Sequence, residues 1–140
     1  MATFHLLIST PRGIVFQGEA RSLQVPSMKG PLVIEPGYTN VVEGLQKAGI
    51  LVVETEKGRE FYAVFGGVVE FHKDVGCTLF SEEINWGKEI DMARALAARD
   101  RSLDRLHSDN PDIDIPRAKL KLWKSLIRIN VKQLSEGQEG

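Results

Sequence analysis

The sequence predicts a chain of two unlike parts: an all-β unit of short strands over residues 1–87 and an antiparallel two-helix hairpin over residues 88–134, with a flexible tail at 135–140. Three observations predict it. Eleven of the thirteen glycines lie at or before Gly87, and residues 88–136 contain none. Glycine serves turns but costs about 1 kcal/mol inside a helix, so its distribution separates a turn-rich half from a helical one. The apolar period changes from alternation to helical spacing near Asn85-Trp86-Gly87. Charge changes there too: residues 1–87 hold 7 basic and 10 acidic side chains and residues 88–140 hold 11 and 9, so the net −1 hides an acidic β unit and a basic helical one.

The β unit is read from apolar runs separated by turn signals. In residues 4–9, Phe4, Leu6 and Ile8 alternate with His5, Leu7 and Ser9, which predicts a strand burying the Phe4 face. Thr10-Pro11-Arg12-Gly13 is a turn. Runs at 14–17 and 20–25 follow, then the turn-rich 26–31, then runs at 32–34, 50–55, 59–65, 68–72 and 77–80. Glu56-Lys57-Gly58 and Lys73-Asp74 read as hairpin connections, and Gly66-Gly67 as a strand bend or bulge. Eight to ten strands in some 85 residues predict a sandwich or flattened barrel with a small core.

Residues 89–107 contain no Gly or Pro and are rich in Ala, with Ala93, Leu96, Leu103 and Leu106 as an apolar stripe, so they predict a helix. Residues 108–112 break it. Asp114 then caps a second helix with Pro116 in its first turn, running to about Gln133 along Leu120, Trp123, Ile127, Val131 and Leu134. Two helices joined by a short turn pack as an antiparallel hairpin.

Composition excludes several functions. No apolar run approaches the roughly 20 residues needed to span a bilayer, and near-neutral charge argues against a general nucleic-acid binder. The single cysteine, Cys77, forms no internal disulfide and reads as a buried structural residue of a reducing, cytoplasmic setting; the first residues carry no secretory signal. His5, His72 and His107 are scattered, no serine lies in a nucleophile motif, and residues 109–114 lack the Gly and Glu of an EF-hand loop, so no catalytic or metal site is expected.

The helical charges carry more. Asp91, Arg94, Arg101 and Arg105 share one face of the first helix, and Arg117, Lys121, Lys124, Arg128 and Lys132 share one face of the second. Each stripe alone suits a solvated face; together they suit a clamp for a polyphosphate or a dock for an acidic segment of a partner.

Several stretches resemble, in order and spacing over some 130 residues, the epsilon subunit of bacterial F-type ATP synthase, the equivalent of the mitochondrial delta subunit. They are Phe4-His5-Leu6 leading to the turn Thr10-Pro11-Arg12-Gly13, the segment from Gly30 to Pro36-Gly37, the strand pair at 62–70 with Gly66-Gly67 and Glu70, Glu89-Ile90-Asp91-Met92-Ala93-Arg94-Ala95, and Asp112-Ile113-Asp114. Tyr38 stands where the family commonly has His. The resemblance implies a ten-stranded β-sandwich that binds the gamma subunit and the c-ring in the central rotor, followed by a mobile hairpin that inhibits ATP hydrolysis. Its basic stripes would meet an acidic segment of the catalytic alpha/beta head. It implies a non-catalytic subunit at the cytoplasmic face of the inner (plasma) membrane, touching the membrane only through the complex, with no nucleic-acid partner.

Some members of the family bind ATP on the folded hairpin. The resemblance carries that site onto Ile90, Asp91, Arg94, Ala95, Arg101 and Arg128, with Lys124 where such members have Arg and Asn85 where they have Glu. Lysine keeps the charge but loses the bidentate fork, so weaker binding is expected. ATP would be a regulatory ligand and not a substrate; no cofactor is required, and Mg is not needed for chemistry. A chain of this kind acting alone would instead be a freestanding ATP-sensing module.

Overall fold

A computed structural model describes residues 2–137. Ten strands form two five-stranded sheets. β1 (Phe4–Thr10), β2 (Gly13–Ala20), β5 (Val41–Gly44), β8 (Val68–His72) and β9 (Gly76–Phe80) make the first, in the order β2-β1-β9-β8-β5. β3 (Ser22–Ser27), β4 (Gly30–Ile34), β6 (Gly49–Thr55), β7 (Gly58–Val64) and β10 (Ile84–Trp86) make the second, in the order β10-β7-β6-β3-β4. All pairings are antiparallel except β1 with β9. That pairing needs a glycine: Gly76 has φ 123°, and a Cβ there would lie 2.6 Å from the His5 carbonyl oxygen.

The sheets stack face to face, as the sequence predicts. Alternation on β1 buries Phe4, Leu6 and Ile8 against Leu23, Val25, Leu51, Val53, Val69 and Leu79. A second core lies on the opposite side of the second sheet, where Phe61, Ala63 and Phe65 meet Ala48, Ile90 and Val131. β7 and the residue after it therefore face two cores, with Tyr62 and Val64 pointing into the sandwich. The unbroken apolar run Phe61-Tyr62-Ala63-Val64-Phe65 is the sequence's record of burial on both faces.

Several element boundaries differ from the sequence reading. The run at 20–25 is divided: Ala20 ends β2, Arg21 alone crosses between sheets, and β3 starts at Ser22. β5 and β10, of four and three residues, are too short to show a period. A 3-10 turn at Gly87–Glu89 separates the sheet from the first helix, α1 (Met92–Leu106), so Glu89 belongs to that turn and Ile90 is extended, and neither is part of the α-helix. Asp91 precedes that helix and caps it, its carboxylate accepting the Arg94 N–H at 3.1 Å. The second helix, α2 (Ile115–Gly137), has the predicted Asp114 cap, which accepts the Arg117 N–H at 3.1 Å. It continues past Leu134 because Ser135 is buried against Gly87, so residues 135–137 are helix and not tail. Residues 138–140 lie outside the described residues. Among the described residues no helix is long and apolar enough to cross a membrane.

The sandwich core predicts an alkaline limit. Burial raises the Cys77 thiol from its ordinary 9.0 to about 12. Burial, with the Glu60 carboxylate adding, raises the Tyr62 phenol from 10.0 to about 12. The unfolded chain ionises both groups first, so their stabilisation is complete below the ordinary values and is lost as pH rises toward about 12. Urea midpoints should therefore fall across that window, and a Tyr62→Phe, Cys77→Ala variant should show a shallower fall; an equal slope would contradict the assignment.

Candidate functional site

The two helices meet along small side chains. Ala95 and Ser102 on α1 and Ala118 and Ser125 on α2 are all buried, each pair seven residues apart, so each returns to the same face after two turns. The serine hydroxyls are satisfied within their own helices: Ser102 Oγ donates to the Ala98 carbonyl at 3.0 Å and Ser125 Oγ to the Leu122 carbonyl at 2.7 Å. Large residues flank this seam. On α1, Ala93 of the predicted stripe is exposed and Leu96, Leu103 and Leu106 are half-buried. On α2, Val131 is buried but Trp123 and Leu134 are exposed. The prediction assumed one neighbour per helix, whereas α2 has two: α1 along Ala118 and Ser125, and the second sheet along Ile127 and Val131.

Close packing brings the cationic stripes together. Ala98, Arg101, Ser102 and Arg105 of α1 and Lys121, Lys124 and Arg128 of α2 line a groove of about 240 Å³. Arg105 and Lys121 also line an adjoining recess of about 280 Å³ with Arg117 and Asp114. Among the described residues, Arg101, Arg105, Arg117, Lys121 and Lys124 form no ion pair. Their mutual repulsion is felt at Lys121, whose ammonium pKa is lowered first by Arg117, then by desolvation, then by Arg105 and Arg101.

Arg128 belongs to the groove and to the sandwich at once. Its Nε donates to Asn85 Oδ1 at 2.8 Å and its Nη2 to Glu83 Oε2 at 2.8 Å. Its guanidinium lies 4.5 Å from the centre of the Phe65 ring, and Lys124 Nζ lies 5.5 Å from the same ring. One turn on, Lys132 Nζ donates to the Lys88 carbonyl at 3.1 Å. At the last turn Ser135 sits so close to Gly87 that a Cβ on Gly87 would overlap its hydroxyl and crowd the Phe61 carbonyl. These contacts seat the C-terminal half of α2 on the sheet.

Of the seven residues singled out in the sequence, Arg101, Lys124 and Arg128 line the groove. Ile90 is buried in the helix–sheet core and Ala95 in the helix seam. Asp91 is committed to its cap, and Arg94 is exposed and does not line the groove. The charge stripes contain Arg105 and Lys121, but the resemblance left them out of the ATP set. Ala98, Ser102 and the Phe65 anchor went unnoticed; the repeat of small residues at seven-residue spacing was the available signal for the seam. The unpaired cations can hold an anion such as a phosphate, whereas Ile90 and Ala95 are buried by packing.

Both parts of the chain are similar to known proteins. Residues 3–87 match the family model for the β-sandwich domain of the ATP synthase delta/epsilon chain, and residues 88–133 match the model for its long α-helix domain. The ATP synthase epsilon chain of Bacillus licheniformis is 34% identical over 131 residues, covering 94% of this chain and 98% of its own. That of Exiguobacterium sp. is 31% identical over 137 residues, covering 97% and 100%. Among solved structures, a chain of the Euglena gracilis mitochondrial ATP synthase, OSCP/F1/c-ring assembly, is 18% identical, with a TM-score of 0.79 over 96% of this chain and 82% of that one. A chain of the Tetrahymena thermophila mitochondrial ATP synthase central stalk/c-ring is 16% identical, with a TM-score of 0.62 over 91% and 95%. At these identities the two structures speak for the fold.

The seating of α2 gives a test. Hydrogen bonds to charged groups contribute about 1.5–3 kcal/mol, less where solvent reaches them as it does here. Arg128→Ala should therefore raise the amide-exchange rate at Phe61 and Phe65 about tenfold while leaving exchange at Leu6 and Leu79 unchanged. Gly87→Val should do the same by overlap. Unchanged exchange at Phe61 and Phe65 in both variants would show that these contacts do not hold the hairpin.

Proposed function

The chain belongs to the ATP synthase delta/epsilon family, and on that premise we propose that it is the epsilon-type central-stalk subunit of a proton-translocating F-type ATP synthase, coupling rotation to ATP synthesis and restraining ATP hydrolysis. The observation that carries this reading is that the family match runs through both the sandwich and the helical part. In this reading the sandwich binds the gamma subunit and the c-ring, and the hairpin works against the alpha/beta head. The protein does no chemistry itself and lies at the cytoplasmic face of the membrane through its complex.

The architecture supports a two-state hairpin. α2 is held to the sandwich by a small apolar patch around Phe61, Phe65 and Val131 and by the bonds of Arg128 and Lys132, so a modest free energy separates seated from released. Released, Arg128 leaves Asn85 and Glu83 and joins the exposed cations of both helices, which together suit an acidic surface and fit an inhibitory extended state.

ATP enters as a regulatory ligand. Its phosphates would neutralise Arg101, Lys121, Lys124 and Arg128 across both helices, and a ligand that touches both favours the seated form by its differential affinity. The base would have to lie outside the packed Ile90 and Ala95 side chains, so affinity comes mainly from charge and should weaken with salt.

Two outcomes are expected. Removing residues 88–140 from the assembled complex should raise its ATP hydrolysis rate severalfold without raising synthesis; an unchanged rate would remove the inhibitory role. Titrating the isolated chain with ATP should saturate and move the lowered Lys121 pKa back up, and Arg101→Ala should weaken the binding about tenfold. A flat titration of the unsubstituted chain would end the ATP reading.

A further inference from the structure

The groove between α1 and α2 is cationic along its length. Arg101 and Arg105 stand one turn apart on α1, and Lys121, Lys124 and Arg128 follow at helical spacing on α2. Among the described residues no carboxylate lines it, and all of its cations but Arg128 form no ion pair. Arg128 is positioned from the sandwich: its Nε donates to Asn85 and its Nη2 to Glu83, which leaves donors over on a group that has five. Beyond Arg105 and Lys121 the adjoining recess brings in Asp112 and Asp114, so the uniformly cationic stretch ends there.

The same lining offers a base nothing to hold. At about 240 Å³ the groove is smaller than the roughly 300–1,000 Å³ that encloses a drug-sized organic ligand. Its one apolar residue is Ala98. The ring that its cations touch, Phe65, is buried, and Lys124 and Arg128 already lie over it, so no base can stack there. What the groove can grip is charge. A single phosphate monoester brings about −1.5 to −2, too little for Arg101, Arg105, Lys121 and Lys124 together. A short chain of phosphates carries anionic oxygens on every unit, so it can meet both rows at once, with arginine forks on one side and lysine point charges on the other.

We propose that this groove is a site for a short phosphate chain itself, a triphosphate in length, to which a nucleoside adds no affinity. The proposal rests on the regulatory reading of the hairpin above and changes its ligand: inorganic tripolyphosphate suffices, and ATP is one bearer of the chain among others. The hairpin then responds to the supply of such chains and not to the identity of a base. Binding across both helices also relieves the repulsion that Arg117, Arg105 and Arg101 exert on Lys121.

The experiment titrates the whole isolated chain by calorimetry at low ionic strength with sodium tripolyphosphate, ATP, GTP, orthophosphate and a hexaglutamate peptide. Tripolyphosphate should saturate, ATP and GTP should bind within about threefold of it, and orthophosphate should bind more than about tenfold less tightly. Arg105→Ala and Lys121→Ala, both outside the positions matched to ATP by resemblance, should each weaken tripolyphosphate about tenfold without lowering the melting temperature. Lys57→Ala, on the sandwich, should change nothing. A flat tripolyphosphate titration, or undiminished binding by both groove variants, would overturn the proposal. ATP binding about tenfold tighter than both tripolyphosphate and GTP would overturn it while leaving the ATP reading in place. Saturation by tripolyphosphate beside a flat ATP titration would do the reverse. Orthophosphate or hexaglutamate binding as well as tripolyphosphate would also overturn it, marking a general anion site or a dock for an acidic protein segment.

Discussion

The structure depends on β7 being apolar on both faces. A sheet that packs on one side only can alternate apolar and polar residues, but β7 must fill the sandwich with Tyr62 and Val64 while presenting Phe61 and Ala63 to the helices. Everything in the second half is seated by that outer face. Ile90 enters it from the connection after Gly87, and Val131 enters it from α2. α1 has no comparable purchase on the sheet and is held chiefly through its small-residue seam with α2. The hairpin is thus attached by one helix, and that helix by half its length.

Charge acts both at this seat and within the hairpin. Apolar contact and the bonds of Arg128 draw α2 onto the sandwich, while the stripes of Arg101, Arg105, Arg117 and Lys121 repel one another across the helix seam. Close packing of alanines and serines creates that repulsion, since larger seam residues would set the stripes farther apart. An anion between the helices and an acidic surface outside them are alternative ways of relieving the same strain. The two states of the proposed regulator then differ in what neutralises these cations.

The division into two parts was legible because glycine placement and hydrophobic period are local properties, and both change within a few residues of Gly87. The face of β1 and the cap at Asp114 were legible for the same reason. β5 and β10 were not, since three or four residues carry no period, and the division at Arg21 was hidden inside one apolar run. At the site, the sequence placed the cations on common faces but could not say which helix face was already occupied. It took Trp123 and Leu134 for buried positions and gave no weight to Ala118 and Ser125, because side-chain size suggests burial and only backbone proximity decides it. Ile90 and Ala95 were assigned by resemblance to a ligand, and their burial in the helix–sheet core and the helix seam was not legible from the motif.

The parallel partnership of β1 with β9 has a consequence in time. β1 has its β2 neighbour at once during synthesis but waits for residues 76–80 before its other edge is covered. Until then the nascent chain exposes an unpaired edge beside the Leu6 and Ile8 side chains, the situation in which intermediates associate wrongly. The first sheet therefore closes only once β9 is made, and the hairpin, which follows its seat β7 in the chain, meets a surface already synthesised.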